Sequence, residues 1–131
     1  MIYLDTSVAL AHLLAEDRFP PLTLWDKSLI SSRILEYELW GRIHSRRLTK
    51  SHSEAVHALL ERVALVELTP TVLARAIEPF PVPVRTLDAL HLASIEWLRR
   101  QQQNPELATY DERLARAARA LDIDLVSGPG W

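Results

Sequence analysis

Ile2-Tyr3-Leu4-Asp5-Thr6-Ser7-Val8-Ala9-Leu10-Ala11 is the stretch that decides the fold. Its first three residues are apolar or aromatic and read as a strand. Asp5 breaks the run, and Thr6 to Ala15 then carries Val8, Leu10, Ala11 and Leu14 on a helical repeat until Phe19-Pro20-Pro21 interrupts it. A short apolar run followed by a longer helical pattern recurs down the chain. That alternation predicts an α/β protein with three layers, α/β/α, whose central sheet is mainly parallel and surrounded by helices.

Working outward from this unit, Leu29-Ile30-Ser31 reads as a second, shorter strand, followed by a helix from Arg33 to about Arg47. Another helix runs from about Ser53 to Ala64, with Val56, Leu59, Leu60 and Val63 at a 3.6 period, and Leu65-Val66-Glu67-Leu68 is the third strand. Thr69-Pro70 supplies an N-cap and a proline at the first helical position for a helix through Ile77, which Pro79, Pro81 and Pro83 terminate. The strongest helical pattern, Thr86 to about Gln102, places Leu87, Leu90, Ala93 and Trp97 on one apolar face. A strand at Leu107 to Tyr110, a helix from Glu112 to Leu121 and a strand at Asp124-Leu125-Val126 complete the reading.

At 131 residues and 14.9 kDa the chain has the size of one domain. Residues 1–131 are therefore expected to form a single unit, with 127–131, containing Gly128-Pro129-Gly130, as a mobile tail. A composition of 48% hydrophobic and 24% charged residues excludes intrinsic disorder as the main state. The absence of cysteine excludes a disulfide framework, a thiolate zinc site and an iron–sulfur cluster. A formal charge of −2 argues against indiscriminate coating of nucleic acid. Asp5 follows Met1-Ile2-Tyr3-Leu4 directly, which leaves no basic leader or secretory apolar region, and no apolar run nears the ~18 residues of a membrane span. The chain thus reads as soluble and cytoplasmic, with no membrane partner.

In an open parallel sheet, ligands bind beyond the carboxyl ends of the strands. Asp5 and Asp111 each follow a predicted strand and precede a predicted helix, which sets both on one rim. Each is equally a favoured N-cap, and both readings stay open. Asp88 heads the row Asp88, Leu92, Ile95, and a carboxylate on an otherwise buried stripe needs a partner. The alternative is an anion in the first turn of a helix capped by Thr86, where the macrodipole favours it. Glu38 shares a helical face with Ile34, Leu35 and Gly41, and Arg42 one turn on offers it an ordinary i,i+4 pair. Glu36 competes with it, but lies three residues from Arg33.

These residues fall in segments that carry a resemblance. Leu4-Asp5-Thr6-Ser7, Ser32-Arg33-Ile34-Leu35-Glu36-Tyr37-Glu38-Leu39, Arg85-Thr86-Leu87-Asp88-Ala89-Leu90-His91-Leu92-Ala93 and Thr109-Tyr110-Asp111-Glu112-Arg113-Leu114-Ala115 resemble, in order and over essentially the whole chain, the PIN domain, particularly toxins of the VapC type. The resemblance implies a PIN-like fold and makes Asp5, Glu38, Asp88 and Asp111 an acidic quartet holding Mg2+ or Mn2+, with the Thr6 and Ser7 hydroxyls supporting the first carboxylate. It also implies a metal-dependent endoribonuclease leaving a 5′-phosphate and a 3′-hydroxyl, which acts as the toxin of a toxin–antitoxin pair. Such a toxin forms a homodimer and is inhibited by a small antitoxin.

The physics of the quartet agrees with that chemistry. Two carboxylates ~4 Å apart repel by about 4 kcal/mol at an effective dielectric of about 20, and a hard divalent cation with oxygen ligands offsets the repulsion. Arg42, Arg46, Arg47 and Lys50 are the candidates for RNA phosphate contacts, against the plainer alternative of a solvated helix face. The helix pair before Leu65 is the expected seat of specificity. Trp40 and Trp97 read as core or dimer-interface residues rather than base-stacking platforms.

Other classes fit less well. Asp88/His91 and Glu54/His57 have the i,i+3 spacing of a carboxylate-bridged di-iron site, but that site needs a four-helix bundle. His91 is accordingly read as a packed or hydrogen-bonded helix residue. Gly41, Gly128 and Gly130 are the only glycines and none follows the first strand, which excludes a phosphate-cradling loop. A phosphoacceptor domain would need a lysine near the last strands, and only Lys27 and Lys50 exist. The reading that competes directly is a catalytically silent PIN-like module that binds RNA or protein.

Overall fold

Strand β1, Ile2–Leu4, lies inside the sheet and takes a parallel neighbour on either side. In the computed structural model, which describes residues 1–131, the sheet has four strands in the order β3-β2-β1-β4, with β2 at Leu29–Ser32, β3 at Val63–Val66 and β4 at Glu106–Ala108. Every pairing is parallel: Ile2 lies opposite Leu29 and Glu106, and Leu4 opposite Ala108. Parallel strands need crossovers, and helices supply them.

Helices α1 (Thr6–Leu13), α2 (Ile34–Ser45) and α3 (Thr49–Glu61) cover one face, while α4 (Pro70–Ala76), α5 (Thr86–Arg100) and α6 (Glu112–Ala120) belong to the other. The alternation of side chains along β1 divides the core between them. Ile2 and Leu4 join Val8, Leu35, Leu39, Ile43, Val56 and Leu59 on the first face. Tyr3 joins Val72, Leu92, Ile95, Leu98, Leu114 and Ala118 on the second. The result is the expected three-layer α/β/α arrangement. From β1 the chain crosses by α1 to β2 on one side, whereas β4 is reached by α4 and α5 on the other. The order of the strands therefore reverses between β1 and β4, and a crevice opens at their carboxyl ends.

Several boundaries differ from the sequence reading. β3 begins two residues early, because α3 starts at Thr49 rather than Ser53 and ends at Glu61. The Arg33 N–H bonds to the Val66 carbonyl (2.8 Å) and ends the pairing there, while the Glu67 side chain turns out to the Arg33 guanidinium. The strand expected at Asp124-Leu125-Val126 is a single bridge from Leu125 to Leu107, made by two backbone hydrogen bonds. β4 stops at Ala108, since the hydroxyl of Thr109 and the amide of Tyr110 serve the turn below, leaving the last strand nothing further to pair with. A 3₁₀ turn at Leu22–Asp26, unanticipated, seats Leu24 in the first core. α5 is preceded by Arg85 in extended conformation, so Thr86 is its first helical residue and not its cap. At the C-terminal stretch, the Tyr110 hydroxyl donates to the Gly130 carbonyl (2.8 Å) and the Trp131 ring lies 5.4 Å from that of Tyr110. No helix is long and apolar enough to cross a membrane.

Candidate active site

Asp5 stands where β1 becomes α1, where it caps the helix and lines a cavity beyond the strand ends. Its Oδ2 caps α1 by accepting from the Ser7 N–H (3.3 Å) and also accepts the Ser7 hydroxyl (2.6 Å) and, from across the sheet, the Thr109 hydroxyl (2.8 Å). Ser7 ties the turns after β1 and β4 together, because its Oγ in turn accepts from the Tyr110 N–H (2.9 Å). Removing that oxygen leaves a backbone donor without its partner. Ser7→Ala should therefore lower the unfolding free energy by about 1–3 kcal/mol, read from urea denaturation, which is more than a surface serine would cost.

Asp111 repeats the pattern after β4. Its Oδ1 caps α6 through the amides of Arg113 (2.9 Å) and Leu114 (3.4 Å). Asp88, in the first turn of α5, accepts the Arg85 N–H on Oδ2 (3.4 Å). Burial holds its carboxyl above the usual carboxylate range; the backbone bond from Arg85 opposes this, and the Asp111 and Asp5 carboxylates reinforce it. Glu38 comes from the second turn of α2. Its Oε1 accepts from the Thr6 hydroxyl (2.8 Å) and from Nε2 of His91 (2.7 Å). Thr6 thus supports Glu38 and not Asp5, because at the first helical position its side chain faces α2. Glu36 points away and pairs with Arg33 (2.7 Å), which separates the two glutamates as the spacing suggested.

All four acids line one cavity of about 740 Å³. Each spends one carboxylate oxygen on a protein anchor: Asp5 Oδ2, Glu38 Oε1, Asp88 Oδ2 and Asp111 Oδ1. The second oxygen of each has no hydrogen-bond donor from the protein. No three of them are close enough to form a ready-made ligand shell.

Of the basic residues singled out from sequence, Arg42 lines this cavity, whereas Arg46, Arg47 and Lys50 lie beyond it, at the end of α2 and the start of α3. Arg18 and Arg85 line it instead. Arg18, in the loop after α1, lies over the Tyr110 ring at 4.4 Å. Sequence reasoning passed over Arg85 although it directly precedes the helix that carries Asp88, which was the available signal. No signal pointed to Arg18. Reading His91 as a hydrogen-bonded helix residue holds, but its partner is an acid of the cavity: burial works to lower its pKa, and the bond to Glu38 with the Asp5, Glu38 and Asp88 carboxylates prevails and holds it above the ordinary value.

Comparison with known proteins follows the same residues. Ribonuclease VapC35 of Mycobacterium tuberculosis (strain ATCC 25618 / H37Rv) is 32% identical over 136 residues, covering 99% of this chain and 98% of the relative. Ribonuclease VapC47 of Mycobacterium tuberculosis (strain CDC 1551 / Oshkosh) is 28% identical over 137 residues, with 99% and 98% covered. No solved structure matches the chain at the same stringency. Residues 2–120 match the model of the PIN domain, a span that includes every acid of the cavity and both layers of helices around the sheet; the chain belongs to the PIN domain family.

Proposed function

We propose that this protein is a metal-dependent endoribonuclease, the toxin of a toxin–antitoxin pair, acting at the cavity of Asp5, Glu38, Asp88 and Asp111. One observation carries the reading: four carboxylates from four separate elements each anchor one oxygen and leave the other unpaired on a shared cavity. The relatives' name, ribonuclease, supports RNA as substrate. The donor set consists of hard anionic oxygens, which suits Mg2+ or Mn2+ and not a thiophilic metal. Asp5 and Asp88 would be the central ligands, with Glu38 and Asp111 holding a second ion or orienting water. A divalent ion there supplies positive charge that polarises the phosphoryl group and activates water.

The protein's own groups do the rest. Ser7 and Thr109 hold Asp5 while Thr6 and His91 hold Glu38, so that both carboxyl groups are in place before substrate arrives. Arg18, Arg42 and Arg85 are placed to contact RNA phosphates around the acids, a role for which guanidinium groups suit. Water adds to phosphorus and the P–O3′ bond breaks, leaving a 5′-phosphate and a 3′-hydroxyl. A homodimer and an inhibiting antitoxin belong to the same reading. The test is RNA cleavage by the purified chain: activity should vanish with EDTA and return with excess Mn2+, Glu38→Gln should remove it, and Glu36→Gln should leave it within about 2-fold. RNA binding without cleavage in the presence of Mn2+ would overturn the enzyme reading.

A further inference from the structure

His91 is 2% exposed, and both of its ring nitrogens are engaged. Nε2 meets Glu38 Oε1 at 2.7 Å, and Nδ1 meets the Tyr3 hydroxyl at 2.8 Å. Tyr3 is itself fully buried on β1, with its ring at 88° to the imidazole, and burial keeps its phenol protonated. A carboxylate oxygen only accepts, so the Nε2–H donates to Glu38 Oε1, while Nδ1 and the Tyr3 hydroxyl share a second hydrogen bond that holds the ring from behind. The chain of hydrogen bonds runs from Tyr3 to His91 to Glu38, from the sheet through α5 to α2. Asp5 Oδ1 stands 3.9 Å from the same Nε2, beyond hydrogen-bond distance. The imidazole thus discriminates between the two acids beside it.

We propose that His91 is a positioning residue for Glu38: with Tyr3 behind it and Thr6 beside it, it pins Oε1 and so presents Oε2 to the cavity. α2 and α5 are separate helices, and a glutamate has three side-chain torsions to restrain. Two donors converging on one oxygen fix the plane of the carboxylate, whereas Thr6 alone would leave it free to turn. α5 therefore contributes twice to the site, through Asp88 and, one turn on, through the bracket that registers the acid of α2. The metal-affinity arm of the test rests on the proposed function; the placement of Glu38 does not.

The experiment measures Mn2+ affinity of the metal-free full chain by calorimetry for the wild type, His91→Leu, His91→Gln, Tyr3→Phe, Glu38→Gln and the His91→Leu/Glu38→Gln double variant. His91→Leu should weaken binding about 10- to 100-fold, the range for partners that orient a ligand, and the double variant should bind no more weakly than Glu38→Gln alone. His91→Gln, whose amide can donate from the position of Nε2, should stay within about 3-fold of wild type. Losses that multiply in the double variant, or an equal loss in Gln and Leu, would overturn the proposal. Tyr3→Phe deletes only a hydroxyl and keeps the packed ring, so it covers the case in which His91→Leu does not fold. It should weaken binding about 3- to 10-fold, and an unchanged affinity counts against the chain of hydrogen bonds. Nitrogen-15 spectra of the histidine rings in metal-free protein separate the two ideas. A long-lived Nε2–H signal that moves in Glu38→Gln supports the positioning even if the wild type binds no Mn2+, in which case the metal reading alone fails. Absence of that signal overturns the positioning whatever the metal does.

Discussion

Asp88→Asn should lower RNA cleavage about 10³-fold while raising the unfolding temperature of the metal-free protein. The two effects have one cause. Asp88 lies 8% exposed in a cavity that also receives Asp5 and Asp111, and burial followed by those neighbours holds its carboxyl above the ordinary carboxylate range. A carboxyl that is harder to ionise in the folded chain makes its ionised form a destabilising element near neutral pH. Asparagine relieves it and can still accept the Arg85 N–H on its own carbonyl oxygen. The sign fixes the pH dependence. The advantage of asparagine should be full above the raised folded pKa and should shrink as pH falls towards 3.8, the ordinary value for an aspartate in an unfolded chain, where both residues are neutral. In the proposed function Asp88 is a metal ligand, so losing its charge removes several kcal/mol of transition-state stabilisation, and about 4 kcal/mol corresponds to the stated factor. Addition of Mn2+ should then raise the unfolding temperature of the wild type and not of the variant. Scanning calorimetry from pH 4 to 7.5, with and without Mn2+, reads all of this; a variant less stable than wild type without metal at neutral pH contradicts the account of the cavity.

The same tension explains what could be read from the residues in order. Asp5, Asp88 and Asp111 stand out because each breaks a pattern, either ending an apolar run or heading an apolar stripe, and a residue that costs stability where it sits invites a chemical explanation. The choice between Glu38 and Glu36 was open in the sequence; the ion pair that helical spacing offers Glu36 with Arg33 is formed, and Glu38 is the one of the two that lines the cavity. Elements with clear period also came through, since α5 and β1 advertise their faces. The run Val63-Ala64-Leu65-Val66-Glu67-Leu68 does not: it is apolar at nearly every position, so nothing in it marks where α3 stops and β3 begins. The partners of His91 were hidden for another reason. Glu38 is 53 residues away and Tyr3 is 88, and such meetings depend on the order of strands and the seating of α2 against α5. Arg18 is similarly placed by a loop, where no periodicity applies, whereas Arg46, Arg47 and Lys50 follow Arg42 in the chain but do not line the cavity.

Leu98→Ala should cost about 2–5 kcal/mol of stability, a large part of the 5–15 kcal/mol expected for a domain of this kind, yet leave cleavage well below the unfolding midpoint within about 3-fold. Leu98 is 2% exposed in the second core, beside Ile30, Val66 and Trp97, and truncating it opens a cavity between the carboxyl end of α5 and the sheet. It sits ten residues along α5 from Asp88, which at 1.5 Å per residue is about 15 Å. The helix thus presents Asp88 to the cavity at its amino end and is anchored in the core at its carboxyl end, with Ile95 and Leu92 packed between. If the packed middle holds its shape, changes at the two ends do not communicate. The stabilisation from Asp88→Asn and the loss from Leu98→Ala should then add to within about 0.5 kcal/mol in the double variant, measured by denaturant unfolding of the metal-free chain. A larger departure would mean that damage to the core tilts the whole helix, and with it both Asp88 and the bracket His91 forms on Glu38. In that event Leu98→Ala alone should weaken Mn2+ binding as well, so the same variant distinguishes a rigid helix from a lever.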